Sequence, residues 1–390
     1  MRRSGVALVI ALVLVVALAL IIPFVVSSSP SRADSTTTTT PATTTTTAGS
    51  ATTTPLATTT TVGTTTATTT TTVAGTVTIA AVGDTELGNS PRIPANPLAY
   101  FAPVKAALAA PILFGNLEGT MTSAGSAKCR PDDDECFDFH VPPSFARVYR
   151  AVGFTVLNSA NNHSNDYGGP GVVDTSNALR QAGIAQAGRP GQIAVVREGA
   201  ISVAFVDFAP YPYTNNLLNF AAARRLIDKA RRLAMLVVVY MHAGAEGANA
   251  EHVTKTSEFY VGENRGNPYA FAHAAIDEGA SLVIASGPHV LRGMQWYRGH
   301  LIAYSLGDFE NYYNFATDGD LSLTGILHVT LSASGKFVAG AFTSATLSGS
   351  GQVFIDPTAA AAHFVNLLSR EDFGSSAVVI TKSGALTNVH

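Results

Sequence analysis

Apolar runs alternate with helix-period patterns through most of this chain. Short runs rich in Val, Ile, Leu and Phe over residues 77–82, 112–114, 153–157, 201–206, 236–240, 282–285 and 301–304 read as buried strands. Between them, residues 97–109, 143–152, 171–182, 221–233 and 268–277 have helical composition and spacing. After Gly325 the character changes. Residues 326–331 and 337–346 alternate as strands do, with Gly335-Lys336 as the turn, and a helix over 359–368 precedes a last strand over 377–381. Such alternation predicts an α/β fold with helices covering the sheets.

The polar residues that close these strands carry the functional signal. Five strands each lead into a group of the metal-ligand class: Asp84, Glu118, Asn162, His242 and His289. Parallel strands would bring these ends to one rim, where they converge. Residues 157–167 are the sharpest stretch, reading Leu-Asn-Ser-Ala-Asn-Asn-His-Ser-Asn-Asp-Tyr. They place four amides, one imidazole and one carboxylate on the loop after a buried strand. On that stretch alone a plain polar turn is an equal reading, since Asn, Asp and Ser favour turns for local reasons.

The N-terminus changes the picture of where this happens. Arg2 and Arg3 precede residues 6–26, which carry no charge and match the roughly 20 residues a helix needs to span a bilayer. The expectation is a cytoplasmic N-terminus at 1–5 and an uncleaved transmembrane anchor at 6–26, with all that follows outside the cytoplasm. A small-residue cleavage site, Ser31-Arg32-Ala33, is also present. Residues 27–75 form a Thr-rich linker with no apolar face to bury, so it reads as a disordered stalk. Residues 76–390 remain for one large domain. With 24 basic and 27 acidic residues, a net charge of −3 gives no case for nucleic-acid binding. The two cysteines, Cys129 and Cys136, enclose Arg-Pro-Asp-Asp-Asp-Glu and are expected to pair outside the cytoplasm.

The candidate ligands comprise two carboxylates, one amide oxygen and two imidazoles, with no thiolate. That set suits one or two divalent ions of Mn, Fe or Zn, and a carboxylate between two ions could bridge them. His163, beside Asn162, is the candidate general acid. Glu246, four residues after His242, reads either as the acceptor that orients it or as an exposed loop acid. The chain has no Gly-x-Ser-x-Gly elbow, no Gly-x-x-x-x-Gly-Lys-Ser/Thr loop and no His-Glu-x-x-His, which argues against the serine, nucleotide-loop and zincin chemistries.

Taken in order, Val82-Gly83-Asp84, Gly115-Asn116-Leu117-Glu118, Ala160-Asn161-Asn162-His163, His242-Ala-Gly-Ala-Glu246, Gly287-Pro288-His289-Val290 and Tyr304-Ser305-Leu306-Gly307-Asp308-Phe309 resemble the CapA family. These are capsule-synthesis proteins associated with poly-γ-glutamate. That family is similar in fold to calcineurin-like metallophosphoesterases, so the resemblance implies a layered α-β-β-α sandwich. It also implies a dinuclear metal centre held by Asp84, Glu118 (or Asn116), Asn162, His242 and His289, with His163 as proton donor. The chain departs from the pattern in three places. Glu86 stands where the superfamily has a histidine two residues after the first Asp, and it can still ligate a metal. Gly287 replaces the first of two closing histidines, and Asp308 stands where the family more often has Asn.

The resulting expectation is a single-pass, membrane-anchored extracytoplasmic protein. It would act in synthesis, release or anchoring of a cell-surface polymer such as poly-γ-glutamate, with a metal-dependent hydrolase or transferase site. Its partners would be the polymer and membrane-bound synthase subunits. Two other readings stand beside this one: a non-catalytic module that binds polymer or synthase, and a secreted metallophosphoesterase.

Overall fold

In the strand Thr76–Glu86, Val77, Ile79 and Ala81 face one apolar layer while Ala80 and Val82 face another. Both faces are buried, which is why the run reads as nearly continuous apolar sequence. Ile201–Phe208 and Leu236–His242 do the same. Val203, Phe205, Val238 and Tyr240 join the first layer, and Ala204, Val206, Val237 and Val239 a third. The computed structural model describes residues 75–133 and 136–388. The expected anchor at 6–26 and the linker up to residue 74 lie outside the described residues. Among the described residues no helix is long and apolar enough to cross a membrane.

Two sheets make the frame. The first runs Gln352–Ile355, Phe337–Ser348, Leu323–Ser332, Thr76–Glu86, Ile112–Leu117, Val156–Asn158 and Ala185–Ala187, with Asp308–Asn311 pairing in parallel to Thr76–Glu86. The second runs Met294–Tyr297, His300–Ala303, Leu282–Ser286, Leu236–His242, Ile201–Phe208 and Ala194–Glu198. Their inner faces meet in the shared apolar layer, where Phe114 of the first sheet stacks on Phe205 of the second with centroids 5.3 Å apart. Helices Phe145–Val152 and Gly168–Ala182 cover the outer face of the first sheet, and Phe220–Leu233 and Pro268–Asp277 that of the second. The mixed α/β fold, layered helix–sheet–sheet–helix, is therefore the one these patterns call for.

One expected helix is cut short. Of residues 97–109 only Pro97–Tyr100 is α-helical, and the chain goes on in hydrogen-bonded turns. Pro103 has no N–H to give and its ring crowds the preceding turn.

Topology places the site. Thr76–Glu86, Ile112–Leu117, Val156–Asn158 and Ala185–Ala187 are parallel neighbours. So are Ile201–Phe208, Leu236–His242, Leu282–Ser286 and His300–Ala303 in the second sheet. Asp84, Asn116 and Asn158 share one row of the first sheet, and His242 and Ser286 one row of the second. At the edge of this rim Asp84 N donates to Gly307 O at 2.9 Å. A Cβ at Gly83 would overlap that same Gly307 carbonyl, so the two Gly-Asp segments meet this closely only because position 83 has no side chain.

Candidate metal centre

The row across the first sheet is wired by amides. Asn158 Nδ2 and Asn161 Nδ2 both donate to Asn116 Oδ1, at 2.6 and 2.9 Å. Asn116 Nδ2 donates to Asp84 Oδ1 at 2.6 Å and faces Glu118 Oε2 at 3.4 Å and His242 Nδ1 at 3.3 Å. Asn116 therefore spends both ends of its amide on the protein, and its place is to hold the other three together. The second sheet fixes Asp84 from across the layer. Ser286 Oγ donates to Asp84 Oδ1, Tyr240 hydrogen-bonds Ser286, and Gly287 N donates to Asp84 Oδ2 at 3.1 Å.

Two groups of donors share Asp84. Asp84, Glu118 and His242 form one, and Asp84, His289 and Asp308 the other; within each, the ligand atoms lie within 4.8 Å of one another. His242 Nε2 is 3.6 Å from Glu118 Oε1, and His289 Nδ1 is 3.5 Å from Asp84 Oδ2. His289 Nε2 stands 3.8 Å from Glu118 Oε1, which joins the two groups a second time.

The residues present fit a divalent cation. Glu118 Oε1, His242 Nε2 and Asp308 Oδ2 are buried without a hydrogen-bond partner, a state native interiors rarely leave unresolved. Burial pushes Glu118 well above the usual carboxyl range, and the nearby Asp84 pushes it further. Burial likewise raises Asp84, and it lifts Asp308 to about 6 against the pull of His289. Burial first, then Arg265, holds His242 well below its ordinary value, so it is a neutral imidazole. Acids crowded together in a dry space want positive charge, and an ion supplies it.

The other candidate residues sort by geometry. Asn162 lines the cavity over this centre, and its buried Oδ1 has no partner, as an amide donor would require. Glu86 is brought into neither donor group: the strand shifts register between Asp84 and Thr85, and the Glu86 carboxylate lies against Gly119. His163 is held through Nδ1 by Asp166 Oδ2 at 2.8 Å, and Asp166 Oδ1 pairs with Lys128 Nζ at 2.6 Å. That leaves His163 Nε2 for chemistry. Burial lowers the pKa of this imidazole, and Asp166 opposes the shift. Glu246 binds Arg265 and approaches His289 Nε2 at 3.8 Å, so it does not orient His242. The turn reading of residues 157–167 also holds in part, because Asn158 Oδ1 and Asn161 Oδ1 accept from the backbone N–H of Ala160 and His163.

The sequence pattern counts Asp166 only as a loop carboxylate, assigns no role to Ser286 or Arg265, and gives Asp308 none as a donor. Asp166 had a readable signal, its i+3 spacing from His163. Arg265 had none.

Of the donors in the two groups, His289 and Asp308 line a cavity of about 890 Å³, walled in part by the loop that the Cys129–Cys136 disulfide closes. Lys128, next to that disulfide, reaches Asp166 from the cavity wall.

The bacterial capsule synthesis protein model PGA_cap matches residues 78–313. The chain is 26% identical over 244 residues to the PGA biosynthesis protein CapA of Bacillus subtilis (strain 168), covering 57% of this chain and 59% of that protein. It is 30% identical over 172 residues to the capsule biosynthesis protein CapA of Bacillus anthracis, covering 42% and 41%. The chain thus spans less than two thirds of the length of either relative. Among solved structures it is similar to a 5′-nucleotidase precursor from Thermus thermophilus, at a TM-score of 0.35 and 15% identity over 76% of this chain and 59% of that one. A likeness that loose carries no argument about the site. The family match, however, runs from the first strand through the strand that carries Asp308, and by it the chain belongs to the bacterial capsule synthesis protein family PGA_cap.

Proposed function

We propose that this chain is a metal-dependent hydrolase or transferase acting on a poly-γ-glutamate-type polymer during capsule synthesis, release or anchoring. The observation that carries the reading is the pair of donor groups sharing Asp84, with His163 on the wall of the same cavity. Both relatives named above are biosynthesis proteins of capsule or PGA by their names, which supports the polymer as substrate. The apolar segment at 6–26 supports an anchored protein, and the Cys129–Cys136 disulfide supports a place outside the cytoplasm.

Asp84, Glu118 and His242 would hold one ion, and Asp84, His289 and Asp308 a second, with Asn162 as a further oxygen donor. Ions of the Mn, Fe or Zn type supply Lewis acidity to the scissile carbonyl and to its attacking water or amine. The rest falls to the chain. Asn116 and Ser286 keep Asp84 in place, and Asp166 fixes the tautomer and direction of His163. Protonated His163 passes its proton to the departing amine of the γ-amide.

The test is elemental analysis of the purified full-length chain beside His289→Ala, followed by assay of a γ-glutamyl oligomer with added Mn or Zn. One or two ions in the wild type, fewer in the variant, and cleavage that depends on His163 support the reading. Gly287 favours a second reading, binding without turnover, because it removes an imidazole from the closing motif. Tight polymer binding by a metal-loaded chain that never cleaves would select it.

A further inference from the structure

Among the described residues two arginines are fully buried, and they differ in one respect. Arg292 is saturated: Nε donates to Ala250 O at 2.7 Å, Nη2 to Glu258 Oε2 at 2.7 Å and Nη1 to Glu258 Oε1 at 3.2 Å. Arg265 is 1% exposed and gives Nη1 to Glu246 Oε1, yet its Nε and Nη2 have no partner at all. Those two nitrogens lie on one edge of the planar group, the edge that takes a carboxylate or phosphate through two parallel bonds. A buried guanidinium is not left half-solvated without cost. Arg265 is also a wall of the cavity that holds His163 and His289.

The surroundings hold that edge still. Arg265 lies on the hairpin Glu258–Tyr260/Glu263–Gly266, whose base is pinned by the Arg292–Glu258 fork. Gly244 N donates to the Arg265 carbonyl at 3.0 Å, and the Tyr211 ring sits 6.0 Å from the guanidinium carbon. Glu246 spans from Arg265 Nη1 to within 3.8 Å of His289 Nε2, so the guanidinium stands one carboxylate away from the second donor group. Tyr211 and Tyr213 stack at 5.4 Å on the same cavity and offer an apolar wall to methylene groups.

We propose that Arg265 is the oxyanion receptor of this cavity, binding a carboxylate of the substrate through Nε and Nη2 while the neighbouring amide lies at the donor groups. In its polymer assignment this rests on the function proposed above. A γ-linked glutamate chain carries a free α-carboxylate on the carbon next to each amide nitrogen. A guanidinium beside the centre therefore selects that chain over neutral peptide.

The experiment is calorimetric titration of the full-length chain with a synthetic γ-glutamyl pentamer, its α-methyl ester and inorganic phosphate. Arg265→Gln and Arg265→Lys are run in parallel, with metal content and melting temperature checking the fold. Lysine keeps the charge opposite Glu246 but lacks the fork. The expected result is pentamer binding by the wild type, weakened about tenfold or more in both variants at unchanged metal content. The ester should bind correspondingly worse than the acid, a comparison that needs no variant. Ester and acid binding alike, or variants within about twofold of wild type, overturns the proposal. So does a wild type that binds neither pentamer nor phosphate. If phosphate binds, loses affinity in Arg265→Lys, and the pentamer does not bind, the receptor stands and the polymer reading falls.

Discussion

His289 Nδ1 and Asp308 Oδ1 lie 2.7 Å apart, with the Phe315 ring stacked 4.5 Å from the imidazole. Burial pulls the pKa of His289 down, but Asp308 and Glu118 outweigh it and hold the value well above the ordinary one. Without an ion, this imidazole is charged at neutral pH, and an ion that takes it as ligand must expel a proton. Affinity for Mn or Zn should therefore tighten from pH 6 to pH 8, by up to about tenfold in Kd per pH unit for each proton displaced. Titration in two buffers of different ionisation enthalpy reads that proton release directly. Glu118 and Asp308, whose values burial also raises, give up protons to the same ion. His289→Ala should therefore lower the release by the imidazole's share, and a release unchanged in that variant counts against His289 as a ligand.

Asp166 raises the pKa of His163 against the lowering effect of burial. Asp166→Asn removes that support, so the imidazole loses its proton at lower pH. For a general acid, the alkaline limb of the rate profile should then move to lower pH, while metal content stays at the wild-type level. His163→Ala should cost about 10²- to 10⁴-fold in kcat with metal retained. A profile unmoved in Asp166→Asn would reduce the pair to a structural contact.

The strands were readable because each lies between two apolar layers and so carries a nearly unbroken apolar run. The helix expected over 268–277 is found as Pro268–Asp277, its start marked by Asn267, whose Oδ1 accepts from Ala270 N at 2.8 Å, and by Pro268 at the first position. The rim of donors was readable for a related reason: parallel strands put their polar ends on one side. What escaped depends on partners far away in the chain. The hairpin bearing Arg265 is short and polar, and Arg292, 34 residues beyond Glu258, fixes it. The turning of Glu86 away from the donor groups follows a register shift that no periodicity announces.

Asp207 tests the pH dependence of the fold apart from the metal donors. It is fully buried on the strand Ile201–Phe208, neither carboxyl oxygen has a hydrogen-bond partner, and burial pushes its pKa well above the ordinary value. The native state thus keeps this proton to higher pH than the unfolded chain does. Above about pH 4 native Asp207 binds more protons than unfolded Asp207, and its contribution to stability falls as pH rises. Asp207→Asn removes that fall. The variant should melt close to wild type near pH 4 and above it at pH 8. A difference in melting temperature that does not grow with pH would argue against a buried, neutral carboxyl.

Gly287 stands where the resemblance calls for a histidine, which invites the substitution Gly287→His as a repair of the centre. The structure predicts the opposite. Position 287 has φ +111°, and a Cβ there would lie 3.1 Å from His242 Cδ2 and Nε2 and from Ala243 N. A side chain must strain the backbone, at about 1–3 kcal/mol, and press on the imidazole that belongs to the first donor group. The Gly287 N–H that holds Asp84 Oδ2 at 3.1 Å would shift with it. Gly287→Ala and Gly287→His should both melt below wild type and both bind less metal by elemental analysis, the alanine variant showing that the Cβ alone is enough. An added ion in Gly287→His would mean that the local backbone relaxes, and that the glycine is a missing ligand.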